Sequence, residues 1–266
     1  MIGGDVGVRP QRGLLPGEGG TAVWRAAALS VSLLTTLPLP RFSAGPGALG
    51  ATTAFFPLVG LALGLVLGGA GLLLDRALPP GPVAAILVLG GVVLTGGLHF
   101  DGLMDSADGV FGGRTRQRRL EIMRDSRVGS FGVLAGALAL LLQYACLATL
   151  GGVARLVAMA AAMALARWAM ALAVALFPTA RTDGLGASFG ANQAGWAVGV
   201  ATATAVVVGG LAGPAGWIAL PVVAVAVLAG GRFCTGRLGG LTGDTYGALA
   251  VVTECLVYLV AVGMSR

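Results

Sequence analysis

The 266-residue sequence contains no lysine, one histidine and three cysteines, and only 11% of its residues are charged. Soluble domains carry about 25% charged residues, so a water-soluble globule is excluded. With His99 alone, a multi-histidine metal site, a haem or a zinc-protease motif is excluded as well. Cys146, Cys234 and Cys255 follow no metal-ligand spacing and read as small buried hydrophobes. The apolar runs lack period-2 alternation, which argues against a membrane β-barrel.

What remains is greasy. Hydrophobic residues make up 56% of the chain and the mean hydropathy is +0.90. Disorder needs low hydrophobicity and is excluded. At roughly 20 residues per span, this supply accounts for about seven membrane helices. The expected fold is all-α: a polytopic helical membrane protein. The expected spans are 49–74, 83–98, 131–150, 153–177, 195–212, 215–230 and 247–264. Residues 22–37, closed by Pro38 and Pro40, predict a short N-terminal re-entrant or interfacial helix. Residues 1–21 read as a flexible Gly-rich tail, and 22–266 as one transmembrane catalytic domain with a charged loop at 99–130.

If the spans alternate, the four longer loops share one side and hold ten arginines, against three (Arg76, Arg155 and Arg266) on the other. The positive-inside rule then places the longer loops in the cytoplasm. The net charge of +6 is accounted for in this way, without nucleic acid as a partner. Gly60, Gly64, Gly68 and Gly71 line one span at near i, i+4 spacing, the pattern of close helix packing.

The 99–130 segment concentrates the charge. Residues 101–127 hold five acids (Asp101, Asp105, Asp108, Glu121, Asp125) and six arginines. On a helix, Asp101, Asp105 and Asp108 share a face. Like charges at that spacing repel unless a cation offsets them. Clustered carboxylates suit a hard divalent ion, and Mg²⁺ is typically held by one or two carboxylates plus substrate phosphates. Asp101, Asp105, Asp108 and Asp125 are the candidate metal ligands. Arg114, Arg124 and Arg127 are candidates to grip the same phosphates by forked hydrogen bonds. Glu121 with Arg124, and Asp125 with Arg118, are expected surface pairs.

Elsewhere, Arg167 and Glu254 each lie about ten residues into a span. A mid-bilayer charge costs roughly 2.5–3.5 kcal/mol, so the two are expected either to meet as an ion pair or to line a ligand pocket. Arg232, Thr242 and Asp244 flank a Gly-rich turn suited to phosphate, although Asp244 also reads as an N-cap. The 178–194 loop, with Arg181, Asp183, Ser188, Asn192 and Gln193, is a candidate lining for a polar cavity.

The stretch LHFDGLMDSADGVFGG (98–113), the RRLEIMRDSRVGSFGVLA block (118–135) and GGLTGDTYGA (239–248) together resemble the cobalamin-5′-phosphate synthases, or adenosylcobinamide-GDP ribazoletransferases. LLTTLPLPR (33–41) and Phe55–Phe56–Pro57 are similar to that family too. The resemblance implies an integral enzyme of the cytoplasmic (inner) membrane; whether it forms a homo-oligomer is left open by the sequence. It would join adenosylcobinamide-GDP to α-ribazole or its 5′-phosphate, release GMP and use Mg²⁺. The family's acids fall on Asp101, Asp105 and Asp108. Asp105, or else His99, is the candidate acceptor of the nucleophile's proton. Another diphosphate-using membrane transferase, of prenyltransferase or CDP-alcohol phosphotransferase type, is the alternative. Asp101 and Asp105 match a DxxxD motif, but no second Asn/Asp-rich motif accompanies it, and Asp105–Ser106 stands where the CDP-alcohol motif needs Ala-Arg. A secondary transporter would use Arg167 and Glu254 at the midplane, yet most of the charge lies in a loop.

Overall fold

The computed structural model describes residues 18–38, 48–182, 188–189 and 195–265. Most of the expected tail, and Arg9, Arg12, Arg41, Asp183, Asn192 and Gln193, lie outside the described residues. Eleven α-helices follow in order: α1 (Glu18–Leu34), α2 (Ala48–Thr52), α3 (Phe56–Leu74), α4 (Pro80–Leu94), α5 (Leu98–Gly112), α6 (Arg116–Ile122), α7 (Ser130–Thr149), α8 (Gly152–Leu176), α9 (Gly195–Leu211), α10 (Gly213–Leu238) and α11 (Gly243–Met264). A 3-10 turn, Thr53–Phe55, joins α2 to α3. Among the described residues there is no β-strand, only an isolated bridge between Thr179 and Leu241.

Among the described residues, five helical stretches are long and apolar enough to cross a membrane: Leu49–Leu74, α7, α8, α10 and α11. Seven spans were expected. The second, 83–98, stops at Leu94 because Gly96 and Gly97 adopt φ of 62° and 71°, a left-handed backbone that favours glycine. The chain there turns by 86° into α5, and with this bent pair the count reaches six. The fifth expected span is α9, an apolar helix of 17 residues, at the lower limit of span length. Three boundaries also move. Helix α10 runs past residue 230 to Leu238, through Gly231 and Gly236, which keep helical backbone, and ends at Gly239, whose φ of 77° caps it. Helix α11 starts at Gly243, before the expected 247. Helix α1 begins at Glu18, inside the expected tail.

Helix α8 is the axis of the bundle. Its alanines from Ala158 to Ala173 are buried, and small side chains let neighbouring backbones come close. Against it, α3 presents the expected glycines: a Cβ on Gly60 would strike the Met163 carbonyl, and one on Gly68 would lie 2.7 Å from Leu156 Cα. The outward faces carry exposed Leu, Val, Phe and Trp, such as Leu138, Val153, Leu211 and Trp217, as lipid requires.

The two ends of the bundle differ as the sequence predicts. At the end with short connections, the buried Arg155 pairs with Asp75 at 2.7 Å and donates through Nε to the carbonyls of Leu147 and Leu150. Those carbonyls end α7, so the guanidinium serves as its C-cap. The opposite end gathers α5, α6 and the ends of α8 and α10. Ala180 donates to the Leu241 carbonyl at 2.7 Å, and Leu241 to that of Pro178 at 2.8 Å.

Candidate active site

The charged 99–130 segment is not an open loop. It folds as α5 and α6, and glycines set its contacts. A Cβ on Gly102 would meet the Asp244 carbonyl oxygen at 2.6 Å, and one on Gly247 would meet His99 Cα at 3.2 Å. Helices α5 and α11 therefore touch backbone to backbone, which brings Asp244 in the first turn of α11 beside the acids of α5.

Three carboxylates gather there: Asp101, Asp105 and Asp244. Asp105 is raised from 3.8 to about 6 by burial, then by the charges of Asp101, Asp244 and Asp108, against the opposing pull of Arg181. Helix α5 runs across the direction of α4 and is not one of the five spans. Arg181 Nη1 lies 3.6 Å from Asp244 Oδ2.

Asp108, the third acid of the predicted ligand set, is engaged elsewhere. Its carboxylate accepts the backbone N–H of Gly129 at 2.7 Å and of Gly132 at 2.8 Å. It thus caps the N-terminus of α7, where negative charge is favourable. Any Cβ on Gly129 or Gly132 would collide with that carboxylate. Asp125, the fourth, sits outside the cluster in the exposed α6–α7 turn. Hydrogen bonds from Arg127, the closest at 2.7 Å, hold it down at about 2. Its hydrogen-bond partner is Arg127, with the charge of Arg118 adding a smaller pull, and Arg118 also pairs with Glu121 at 3.3 Å.

Among the described residues, no three His, Cys, Asp or Glu side chains stand close enough to hold a metal by themselves. The donor set nevertheless fits a hard ion carried by one or two carboxylates and a phosphate ligand.

Beside the acids, Arg116, Gln117, Leu120, Glu121, Arg124 and Arg181 line a cavity of about 510 Å³. Its walls are cross-tied: Arg116 donates to the Ala180 carbonyl at 3.2 Å, Arg181 to that of Leu120 at 3.1 Å, and Arg119 to that of Arg237 at 3.1 Å. This volume lies within the roughly 300–1,000 Å³ typical of small-molecule sites. Arg124 is thus brought to the cavity, whereas Arg114 and Arg232 are exposed and do not line it. Arg181 lines the cavity, as expected for the 178–194 loop, whereas Arg116 is not among the candidate ligands that the sequence singles out.

Thr242 is buried. Its hydroxyl accepts from Thr245 N at 3.3 Å and donates to Asp244 at 3.3 Å, in a capping box that starts α11. It orients Asp244 and does not line the cavity. His99 and Arg167 are also buried, together with Glu254, in the bundle interior. Arg167 pairs with Glu254, as the sequence allowed, and its other arm lies 3.5 Å from His99 Nδ1. The cavity at this point is about 20 Å³, too small for any organic substrate.

The sequence model described as cobalamin-5-phosphate synthase matches residues 26–262. A Desulforamulus reducens protein named adenosylcobinamide-GDP ribazoletransferase is 42% identical over 243 residues, covering 88% of this chain and 95% of its own. Proteins of the same name from a Roseiflexus species and from Deinococcus radiodurans are 42% and 40% identical, covering 85% and 88% of this chain and 84% of their own lengths in each case. No solved structure matches the chain.

Proposed function

This chain belongs to the cobalamin-5-phosphate synthase family, and on that premise we propose that it is a membrane transferase joining adenosylcobinamide-GDP to α-ribazole or its 5′-phosphate with release of GMP. The observation that carries the proposal is the Arg181–Asp244 contact at 3.6 Å, which joins a carboxylate cluster to an arginine-lined cavity. A diphosphate needs both: oxygen ligands for its counter-ion and guanidinium forks for its own oxygens.

A ribazole hydroxyl would attack the phosphorus that bears the cobinamide. The new P–O bond forms as the bond to the bridging oxygen breaks, and that oxygen leaves with GMP. Asp105, held at about 6, is in the range to take the hydroxyl proton near neutral pH. Arg116, Arg124 and Arg181 bind the nucleotide phosphates in the cavity they line. Arg114, Arg127 and Arg232, which are exposed and do not line it, contribute positive potential that draws an anionic substrate in. Asp101 and Asp244 would hold a divalent cation such as Mg²⁺, whose charge offsets that of the diphosphate. Thr242 keeps Asp244 pointed at it through the hydrogen bond described above.

The arginine-rich end faces the cytoplasm in this reading, by the positive-inside rule, and the membrane is the inner one. The test is GMP release from purified, detergent-solubilised protein given both substrates. Turnover with an isoprenoid diphosphate or a CDP-lipid, and none with the corrinoid, would overturn the proposal.

A further inference from the structure

Four helices send a polar side chain to one point in the bundle interior. Gln143 of α7 donates to Glu254 of α11 at 3.1 Å, Glu254 pairs with Arg167 of α8, and Arg167 reaches His99 of α5. Arg167 is 1% exposed. Replacing such a buried pair with apolar residues is often neutral or stabilising, so stability alone is a poor account of it; fixing the register between elements is the best-attested use.

The geometry names the register. His99 stands two residues before Asp101, and its backbone rests on Gly247, one turn after Asp244. The Arg167 fork thus ties down the near end of the α5–α11 contact whose far end is the Asp101, Asp105 and Asp244 cluster. His99 Nε2 and Arg167 Nε have no partner among the described residues. The adjoining cavity of about 20 Å³ has room for one water to serve them.

We propose that Arg167 and Glu254 are positioning residues for the transfer reaction: acting through His99, they hold α5 in the register on α11 that faces the three carboxylates toward one another. The inference rests on the reading of that cluster as the diphosphate site. Neither side chain touches substrate.

The test compares three variants of the full chain in detergent. R167M/E254L removes both buried charges together, so it should stay inserted and melt near the wild-type temperature. Amides of residues 98–105 should nonetheless exchange hydrogen at least tenfold faster, with those of α3 and α8 unchanged, and the affinity for Mn²⁺, used as the probe ion, should fall at least tenfold. R167K keeps a cation for Glu254 but lacks the second arm to His99, so it should shift α5 exchange in the same direction. H99N leaves the ion pair intact and serves if the double variant does not fold; it too should loosen α5. Wild-type exchange in α5 for H99N and for either Arg167 variant would overturn the proposal. If the wild type binds no Mn²⁺, the cation reading of the site fails, and hydrogen exchange still decides the positioning role.

Discussion

Asp108 accepts the backbone N–H of Gly132 at 2.8 Å from a different helix, with Gly129 bound to its second oxygen. One of three aspartates on a single helical face is thereby tied into the scaffold. Asp108→Ala would leave the buried N–H of Gly132 and the half-buried N–H of Gly129 unpaired, at a cost of about 1–3 kcal/mol for the buried one and less for the other. Thermal unfolding in detergent should show that loss of stability. An unchanged melting temperature accompanied by lost cation binding would return Asp108 to the ligand set.

Asp101→Ala and Asp244→Ala should behave in the opposite way. Each removes a carboxylate from a crowded cluster, so Asp101→Ala should not destabilise the protein and Asp244→Ala, which also gives up the Thr242 and Arg181 contacts, should cost less than Asp108→Ala, while GMP release should fall by at least about 100-fold, the scale of a lost electrostatic group in a transfer site. Full activity in an inserted Asp101 variant would reject its assignment.

Chelation tests the counter-ion directly. Excess EDTA should stop turnover and added Mg²⁺ should restore it. An undiminished rate in EDTA would exclude a dissociable divalent cation from the reaction.

The raised Asp105 makes a statement about pH. A carboxyl that moves from 3.8 to about 6 on folding binds more protons in the folded state than in the unfolded one across that window. Stability in cation-free buffer should therefore fall as pH rises from about 4 to about 6. Added Mg²⁺ should flatten the slope by offsetting the repulsion. A melting temperature that rises through this window, with Asp105→Asn showing the same profile, would contradict the crowding of Asp105.

At the other end of the bundle, Asp75→Ala should be costly without touching the chemistry. It strands the buried Arg155 guanidinium, and breaking a buried pair costs about 3–5 kcal/mol. Unfolding should reveal this loss while Mn²⁺ affinity stays at the wild-type value. A loss of affinity equal to that of Asp101→Ala would show that the two ends are coupled.

The sequence makes the architecture legible because bilayer thickness imposes helix length, and because glycines at four-residue spacing, such as Gly60 and Gly64, announce close packing before any fold is known. The charge asymmetry between long and short connections matches the two ends of the bundle. Less legible are features that depend on three-dimensional contact. Asp101, Asp105 and Asp108 look equivalent on a helical wheel, and only the approach of Gly129 and Gly132 separates the last from the others. The capping of α11 by Thr242 likewise hides behind a turn that resembles a phosphate loop. Arg155 reads as an ordinary loop charge until its contacts with α7 carbonyls are seen.

The 86° break after Leu94 has a consequence for traffic. Helix α4 runs from the short-connection end toward the charged end, so had α5 continued along it, its aspartates would project past Asp244. Laid crosswise, α5 rests Gly102 against Asp244 instead, so the substrates of the proposed transfer would meet on one platform at the start of α11.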